Sequence, residues 1–491
     1  LGAGLGRCSR LTCLDLCFDN NRITGEHLGQ LGDGIGHCLK LTRLQLHCNS
    51  NQIDGEHVGR IGEGIGRCAQ LTSLQLQCND NQITGEHLGT FAEGIGRCSL
   101  LRSLQLQFSN NKIDYGYLAH LGAGIGRLPR LMCIDLNFDN NQDIVEYLGK
   151  SSQDAEHCRS FARLTLRFDC NKISSEHLGQ IHDGIGFCSR LTTLRLSFNS
   201  CVAHLFRRLA PLQQPDELTV HAENNQINCE YLGHFGEGIG SCPKLASLEL
   251  HCSNNQITGE HLGQFGEGVG RCSQLTSLWA HFNNNKIADV GQFGAGIGRC
   301  SGLTNLYLHF DCNSIEHLGQ FGKEIGRCSH LTKLNLHFES NCITGQHFKQ
   351  FGEGIGLCSQ LTIFVLDLNC NHIADEQLWP WAEGIRSCAR LMCLQLHLNS
   401  NAISDEHLGE FAERIGHLPQ LTNLELHFDS NCITGEHLGN FGEGIGSCSK
   451  LTSLALHFSD NKIIDDHLGH FGEGIGLCSQ LAFLELHFNS N

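Results

Sequence analysis

The chain has 491 residues, with 51 acidic and 34 basic side chains and a formal net charge of −17. That balance excludes broad binding to a phosphate backbone, which needs a basic stripe, and its plain consequence is a well-solvated surface. No apolar run approaches the ~18 residues a membrane span requires; no signal-peptide pattern opens the chain and no Pro/Ser-rich linker or low-complexity tail interrupts it.

Leu1 falls inside a helical phrase and Asn491 halfway through a repeat, so a fragment of a longer protein is expected. Between them a 30-residue phrase recurs. Residues 31–60 read LGDGIGHCLKLTRLQLHCNSNQIDGEHVGR, residues 61–90 IGEGIGRCAQLTSLQLQCNDNQITGEHLGT, and residues 441–470 FGEGIGSCSKLTSLALHFSDNKIIDDHLGH. A fixed period of 20–50 residues marks supersecondary units that bury their apolar faces only by stacking. Stability is then spread along an array.

Each unit begins with a strand. In 71–83, LTSLQLQCNDNQI, the apolar residues Leu74, Leu76 and Cys78 alternate with Ser73, Gln75 and Gln77. Period-2 alternation predicts a half-buried strand. An Asn follows at a fixed place, from Asn21, Asn51 and Asn81 to Asn491. A buried amide needs partners, so a ladder of Asn side chains bonding the backbone of neighbouring turns is expected.

A helix closes the unit. In 84–98, Leu88, Phe91, Ile95 and Cys98 share one helical face. Thr84 is placed as N-cap, and Glu93 with Arg97 as an outward pair. Glycine costs roughly 1 kcal/mol in a helix interior, so Gly29, Gly32 and Gly36 need a reason. They share a face beside the apolar stripe, which predicts close approach to the next helix; a segment only partly α-helical is the alternative. The glycine spacing is not a dinucleotide fingerprint.

Fourteen of the 28 cysteines, from Cys8 and Cys38 to Cys448 and Cys478, hold one position of the repeat, where Leu128 and Leu418 also stand. That substitution predicts Cys buried as a small hydrophobe rather than a disulfide framework. With no Asn-x-Ser/Thr acceptor present, a reducing, cytoplasmic setting is expected.

The units are regular over 1–120 and again over 221–491. Between them, 121–220 is irregular: SSQDAEHCRSF (151–161) loses its glycines, Cys201 takes the Asn position, and VAHLFRRLA (202–210) replaces the helix of a shortened, 24-residue unit before PDELTV (215–220). This stretch reads as a seam within one array of 1–491, not a linker; neutral drift is the plainer account of it.

Strand, Asn turn and helix in repetition predict parallel strands inside and helices outside. LTSLQLQCNDNQI resembles the leucine-rich-repeat segment L-x-x-L-x-L followed by Asn and an aliphatic residue, over essentially the whole chain. The Gly-rich helical half resembles the ribonuclease-inhibitor-like class, closest to Gly-rich protist repeats and to the repeat region of intracellular NOD-like receptors. The resemblance implies an α/β solenoid: a horseshoe of about 17 repeats, with strands on the concave face and helices on the convex face. One departure stands out: the Asn comes two residues later than in the common pattern, so the strand or its turn is longer.

In that family the outward strand positions bind partners. Adjacent strands lie ~4.8 Å apart, so outward residues form columns. The column before the last core residue carries His47, His221, His251, His281, His309, His337, His397, His427, His457 and His487, interrupted after 251 only by Asp367. A histidine column can bind metal, sense pH or meet anionic partners, or it can simply have been copied with the repeat. A flat column offers neighbours side by side rather than converging ligands, so no metal site is assigned. Protonation below pH ~6.5 would make the column strongly positive.

The neighbouring column varies most, from Asp15 and Gln45 to Trp279, Tyr307 and Val365. Arg163, Arg167 and Arg195 gather at the seam, and Trp279 and Tyr307 are adjacent aromatics. Aromatics and Arg are the usual interface anchors. The expected partner-binding residues are therefore Arg163, Arg167, Arg195, Trp279, Tyr307, His251, His281, His309 and His337; scattered exposed residues without a role are the alternative. The second repeated histidine, as in His27, His87, His261 and His437, opens the helix and is read as packing or capping.

No His-Glu-x-x-His, Gly-x-Ser-x-Gly, Walker loop or CxxC pair occurs. The sequence thus predicts a non-catalytic module that binds a protein partner on its concave face. It predicts no cofactor and no nucleic-acid, membrane or small-molecule ligand. A Ran-type GTPase-activating protein and a structural or assembly scaffold are the alternatives.

Overall fold

The structure, a computed structural model, describes residues 1–113, 118–141, 162–167, 169, 191–197, 215–224, 229–464 and 468–491. The chain forms two compact units, Leu1–Gln226 and Ile227–Asn491. In each, five-residue strands alternate with helices where both are described, and every strand pairs in parallel with its neighbour. The segments 151–161 and 201–210 lie outside the described residues.

The first unit holds β1 (Cys13–Cys17), β2 (Arg43–His47), β3 (Ser73–Gln77), β4 (Ser103–Gln107), β5 (Cys133–Asn137), β6 (Arg163–Arg167), β7 (Thr193–Ser197) and β8 (Glu217–His221). The second holds β9 (Ser247–His251), β10 (Ser277–His281), β11 (Asn305–His309), β12 (Lys333–His337), β13 (Ile363–Asp367), β14 (Cys393–His397), β15 (Asn423–His427), β16 (Ser453–His457) and β17 (Phe483–His487). Register never slips: Leu44 faces Leu74 and Leu74 faces Leu104. Shortened repeats keep it too, with Thr193 facing Glu217 across the 24-residue step. Seventeen parallel strands and fourteen helices among the described residues make an α/β solenoid of about 17 repeats.

The expected apolar stripe is the core: Leu88, Phe91, Ile95 and Cys98 are all fully buried. Buried phenylalanines from successive strands stack, as in Phe282–Phe310 at 5.6 Å and Phe310–Phe338 at 5.5 Å. The glycine-rich segments are helices, such as Gly25–Ile35 and Gly55–Ile65. A Cβ on Gly29 would meet the Arg60 side chain, and one on Gly32 the backbone of Ile61, so these glycines admit the next helix as expected. A further column, Gly34 and Gly64, receives the preceding one: a Cβ on Gly64 would strike the carbonyl of Gly32.

The Asn ladder forms. Asn81 donates through Nδ2 to the Cys48 carbonyl one repeat back and to the Asn79 carbonyl, each at 2.9 Å, and its Oδ1 accepts from Ile53 N at 3.1 Å. Two further ladders run beside it. Thr72 Oγ1 donates to the Thr42 carbonyl at 2.9 Å, and Thr42 to that of Thr12 at 2.8 Å. At the strand exit, Asp19 Oδ1 accepts from Asn49 N and Asn49 Oδ1 from Asn79 N.

This exit turn accounts for the late Asn. Among the described residues, the one before each ladder Asn is left-handed, with φ of 56° at Asn20, 53° at Ser50 and 55° at Asp80. Asn, Asp and Ser dominate the position because a short polar side chain tolerates that conformation best after glycine. The two extra residues build a turn; the strand itself stays at five.

Two expectations about helix ends are corrected. Thr84 occupies the N-cap position, but its side chain makes no cap bond and a 3-10 turn, Gly85–His87, precedes the helix. The Glu93–Arg97 pair does not form, because the helix ends at Ile95 and Gly96 caps it. Among the described residues the cysteine position is buried as expected from Cys38 to Cys478; Cys8, in the first repeat, is exposed. The buried thiols also donate a weak bond: Cys68 Sγ lies 3.3 Å from the Ile35 carbonyl and Cys272 Sγ 3.3 Å from that of Ile239. Burial raises the Cys98 and Cys272 thiols to about 12, so they stay protonated. Among the described residues every cysteine is free.

Candidate binding face

Alternation turns the second and fourth residues of each strand toward the core layer and the first, third and fifth to the opposite face; in β17 the inward Leu484 and Leu486 are exposed. In β9 that leaves Ser247, Glu249 and His251 half-buried over fully buried Leu248 and Leu250. Parallel pairing then aligns outward residues of like position.

In the first unit, Arg163 and Arg167 stand at the ends of β6, and Arg195 at the centre of β7; all three are exposed. Arg195 pairs in register with Thr165, and Arg163 with Thr193. Their outward neighbours Thr165, Thr193 and Ser197 are buried, as expected beneath long arginine stems. The patch is not purely basic. Arg167 draws on the carboxylates of Asp135, Asp139 and Asp169, and Arg195 on Asp135. Burial nonetheless raises all three carboxyls above their usual value, with the arginines opposing it.

In the second unit, Trp279 on β10 faces Tyr307 on β11. Their rings stack with centroids 3.8 Å apart and planes 20° from parallel. Trp279 is 39% exposed, and its Nε1 donates to Ser277 Oγ at 3.1 Å, which holds the indole against the strand.

Beside this pair runs the histidine column. His251–His281, His281–His309 and His309–His337 stack at 4.5, 4.3 and 4.1 Å, with planes within 15° of parallel. Strand spacing sets that distance. Asp367 ends the stack, its Oδ2 lying 3.5 Å from His337 Nδ1. A second stack follows: His397–His427, His427–His457 and His457–His487 at 4.3, 4.0 and 4.4 Å.

The expectation of a strongly positive face in mild acid is corrected at His309, His397 and His457. Burial, then repulsion from His337 and His281, lowers His309 to about 3, against a weak opposing pull from Asp367. Burial and a neighbouring ring lower His397 and His457 as well. His309 therefore stays neutral in the folded chain while it charges in the unfolded one. The unfolded state then binds more protons below pH ~6.5, and stability falls as pH drops toward about 3. We expect His309 to account for a loss on the order of 2 kcal/mol between pH 7 and pH 4. Thermal melts at the two values check it: the melting temperature falls in the native chain and falls less in His309→Gln. A melting temperature that is flat or rises toward pH 4 contradicts the assignment.

The histidines that open the helices have the expected local role. Thr24 Oγ1 meets His27 Nδ1 at 2.8 Å, and Thr258 Oγ1 meets His261 Nδ1 at 2.5 Å. His407 Nδ1 meets Asp375 Oδ2 at 3.0 Å, and that bond raises the His407 pKa.

The rings do lie side by side as a flat column, with planes up to 17° from parallel. Carboxylates from the same face join the histidines: Glu249 Oε1 lies 3.0 Å from His251 Nε2, and Glu425 Oε1 lies 2.7 Å from His427 Nε2. The sequence signal was the i, i+2 spacing Glu-x-His, which places both side chains on one side of a strand.

Among solved structures, a leucine-rich-repeat protein of Leptospira interrogans matches with a TM-score of 0.60 at 19% identity, over 99% of this chain and 98% of that one. An internalin of Listeria monocytogenes matches with a TM-score of 0.41 at 17% identity, over 90% of this chain and 86% of that one. No protein-family model matches the chain, and no curated protein is similar to it in sequence. The fold is that of a leucine-rich-repeat solenoid. Among the described residues no helix is long and apolar enough to cross a membrane.

Proposed function

We propose that the chain is a non-catalytic recognition module that binds a protein partner on the outward face of its sheet. The observation that carries this reading is the Trp279–Tyr307 stack: two large rings held together at 3.8 Å on a mostly polar column. Aromatic anchors lose little entropy on binding and supply most of an interface's energy. His251, His281, His309 and His337 flank them as a column of stacked rings. Arg163, Arg167 and Arg195 form a separate charged patch in the first unit, suited to an acidic segment. The irregular stretch 121–220 carries that patch and is read as a seam of the array.

At finer grain, we infer from the Gly-rich helical halves a kinship with the ribonuclease-inhibitor-like class, closest to Gly-rich protist repeats and the repeat regions of NOD-like receptors; the late Asn departs from that pattern. The free, buried cysteines suit a reducing cytoplasm. Nucleic acid, membrane lipid and small-molecule substrates form no part of this reading.

Affinity capture from the source cell, run in parallel on the native chain and on Trp279→Ser/Tyr307→Ser, tests it. Hot-spot truncations cost ~2 kcal/mol or more each, so captured partner should fall by about 30-fold or more. The Arg163, Arg167 and Arg195 to Ser variant forms a second arm. Both variants alter outward side chains and should keep the native circular dichroism. An unchanged set of partners when all five residues are replaced overturns the proposal.

A further inference from the structure

Beyond Asp367 the outward face changes its chemistry. His397, His427, His457 and His487 stand in register on β14, β15, β16 and β17. Glu425 and Glu485 lie two residues upstream on their strands, and Asp429 follows β15. In three groups, His397/Glu425/His427, His427/Asp429/His457 and His457/Glu485/His487, the ligand atoms lie within 4.8 Å of one another. Among the described residues no other such cluster occurs.

We propose that this stretch binds first-row divalent transition ions, with Zn2+ the best fit, at two sites: His397–Glu425–His427 and His457–Glu485–His487. Two imidazoles and one carboxylate form a borderline donor set that suits Zn2+, Co2+ and Ni2+. Ca2+ and Mg2+ want six or more oxygens and find one carboxylate here.

The ligands are gathered before an ion arrives. The rings of each pair lie side by side at 4.3 Å in the first site and 4.4 Å in the second. Glu425 Oε2 accepts from Gln395 Nε2 at 2.9 Å, which turns Oε1 toward His427 Nε2 at 2.7 Å. Such an outer partner fixes ligand orientation. Glu485 Oε1 sits likewise, 2.9 Å from His487 Nε2. A tetrahedral zinc shell sets neighbouring donor atoms ~3.3 Å apart, so each carboxylate rotates and the two rings of each pair tilt out of their near-parallel stacks, 11° and 17°, for their in-plane nitrogen lone pairs to converge on the ion. Ala455 stands between Glu425 and Glu485 in the outward column, and its methyl leaves the remaining coordination positions open to solvent.

The middle group is the weakest of the three. Asp429 Oδ1 already accepts from Ser459 N at 2.6 Å, as a rung of the exit-turn ladder. An ion there would also take a ring from each outer site. Two ions in the outer sites use all four rings and both glutamates, so saturation comes at two per chain.

Equilibrium dialysis of the full chain against ZnCl2, with metal counted by atomic absorption, tests the stoichiometry. Co2+ serves as the spectroscopic probe, because thiolate ligation from exposed Cys312, Cys342, Cys370 or Cys432 would add a charge-transfer band. The expected result is two Zn2+ per chain and a Co2+ spectrum without that band. His427→Gln and His487→Gln should each lower the count to one, and together abolish binding. Gln395→Ala should weaken the first site by the ~10–100-fold that loss of an outer partner costs. His309→Gln should leave both sites intact. A count unchanged in the His427→Gln/His487→Gln chain, a thiolate band, or no bound zinc in the native chain overturns the proposal; native circular dichroism in each variant excludes misfolding as the cause.

Discussion

Asn371→Ala is expected to destabilise the second unit by ~3–5 kcal/mol, among the largest effects available to a single polar residue. The side chain is only 5% exposed, and it serves four backbone groups. Its Nδ2 donates to the carbonyls of Phe338, Leu368 and Asn369 at 2.9, 3.1 and 3.0 Å, and its Oδ1 accepts from Ile343 N at 3.0 Å. Alanine fills little of that space and satisfies none of those groups. Each buried donor or acceptor left unpaired costs ~1–3 kcal/mol, and sharing one amide among three carbonyls keeps the sum below the maximum. Asn371→Asp is expected to be at least as harmful, since a carboxylate keeps the acceptor but sets a charge against three carbonyl oxygens. In an array the damage is local. Hydrogen exchange should therefore show lost protection at Ile343 N and in the repeats on either side, while amides of the first unit keep theirs. Protection at Ile343 N within threefold of native would mean that the ladder is not structural.

The ladder was legible in the sequence because its logic is local. One Asn per period, always behind the same strand position, demands a partner at a fixed distance, and the stacking supplies it. The strands, the helices and the buried cysteines were legible for the same reason, since each depends on the periodicity of a single repeat. What escaped depends on two repeats at once. The thiol-to-carbonyl contact of Cys68 with Ile35 and the exit-turn rung from Asp19 to Asn49 need the register between neighbours. The approach of Glu425 to His427 needed only the Glu-x-His spacing, but its meaning as a cluster needs His397 one strand away. The lowered pKa of His309 escaped most fully. It comes first from burial and then from rings about 4 Å away that repel its proton, and neither is visible in a single repeat. The arginines and aromatics were legible as outward residues. Their division between two units, and the carboxylates around Arg167, were not.

The glycine columns give the second large effect, and it has opposite signs at two ends of one motif. Gly354→Ala is expected to cost ~2–4 kcal/mol, although alanine is the better helix former by ~1 kcal/mol. A Cβ at 354 would strike the backbone of Gly322 and Lys323 in the preceding helix, and backbone cannot rotate aside as a side chain can. The two helices, Gly319–Ile325 and Phe348–Gly356, would have to separate. Leucine at 354 should prevent folding of this region altogether. Gly472 sits in the same phrase, within the helix Leu468–Ile475, but a Cβ there meets nothing within 4 Å. Gly472→Ala should therefore stabilise by ~0.5–1 kcal/mol, the gain expected from helix propensity and a less flexible unfolded chain. Urea unfolding followed by circular dichroism reads both. If the two variants shift in the same direction, the glycines are not kept for close packing. The repeat itself supports the steric account: where Glu324 and Arg414 take the position of Gly354, the helix packs less closely on the one before it.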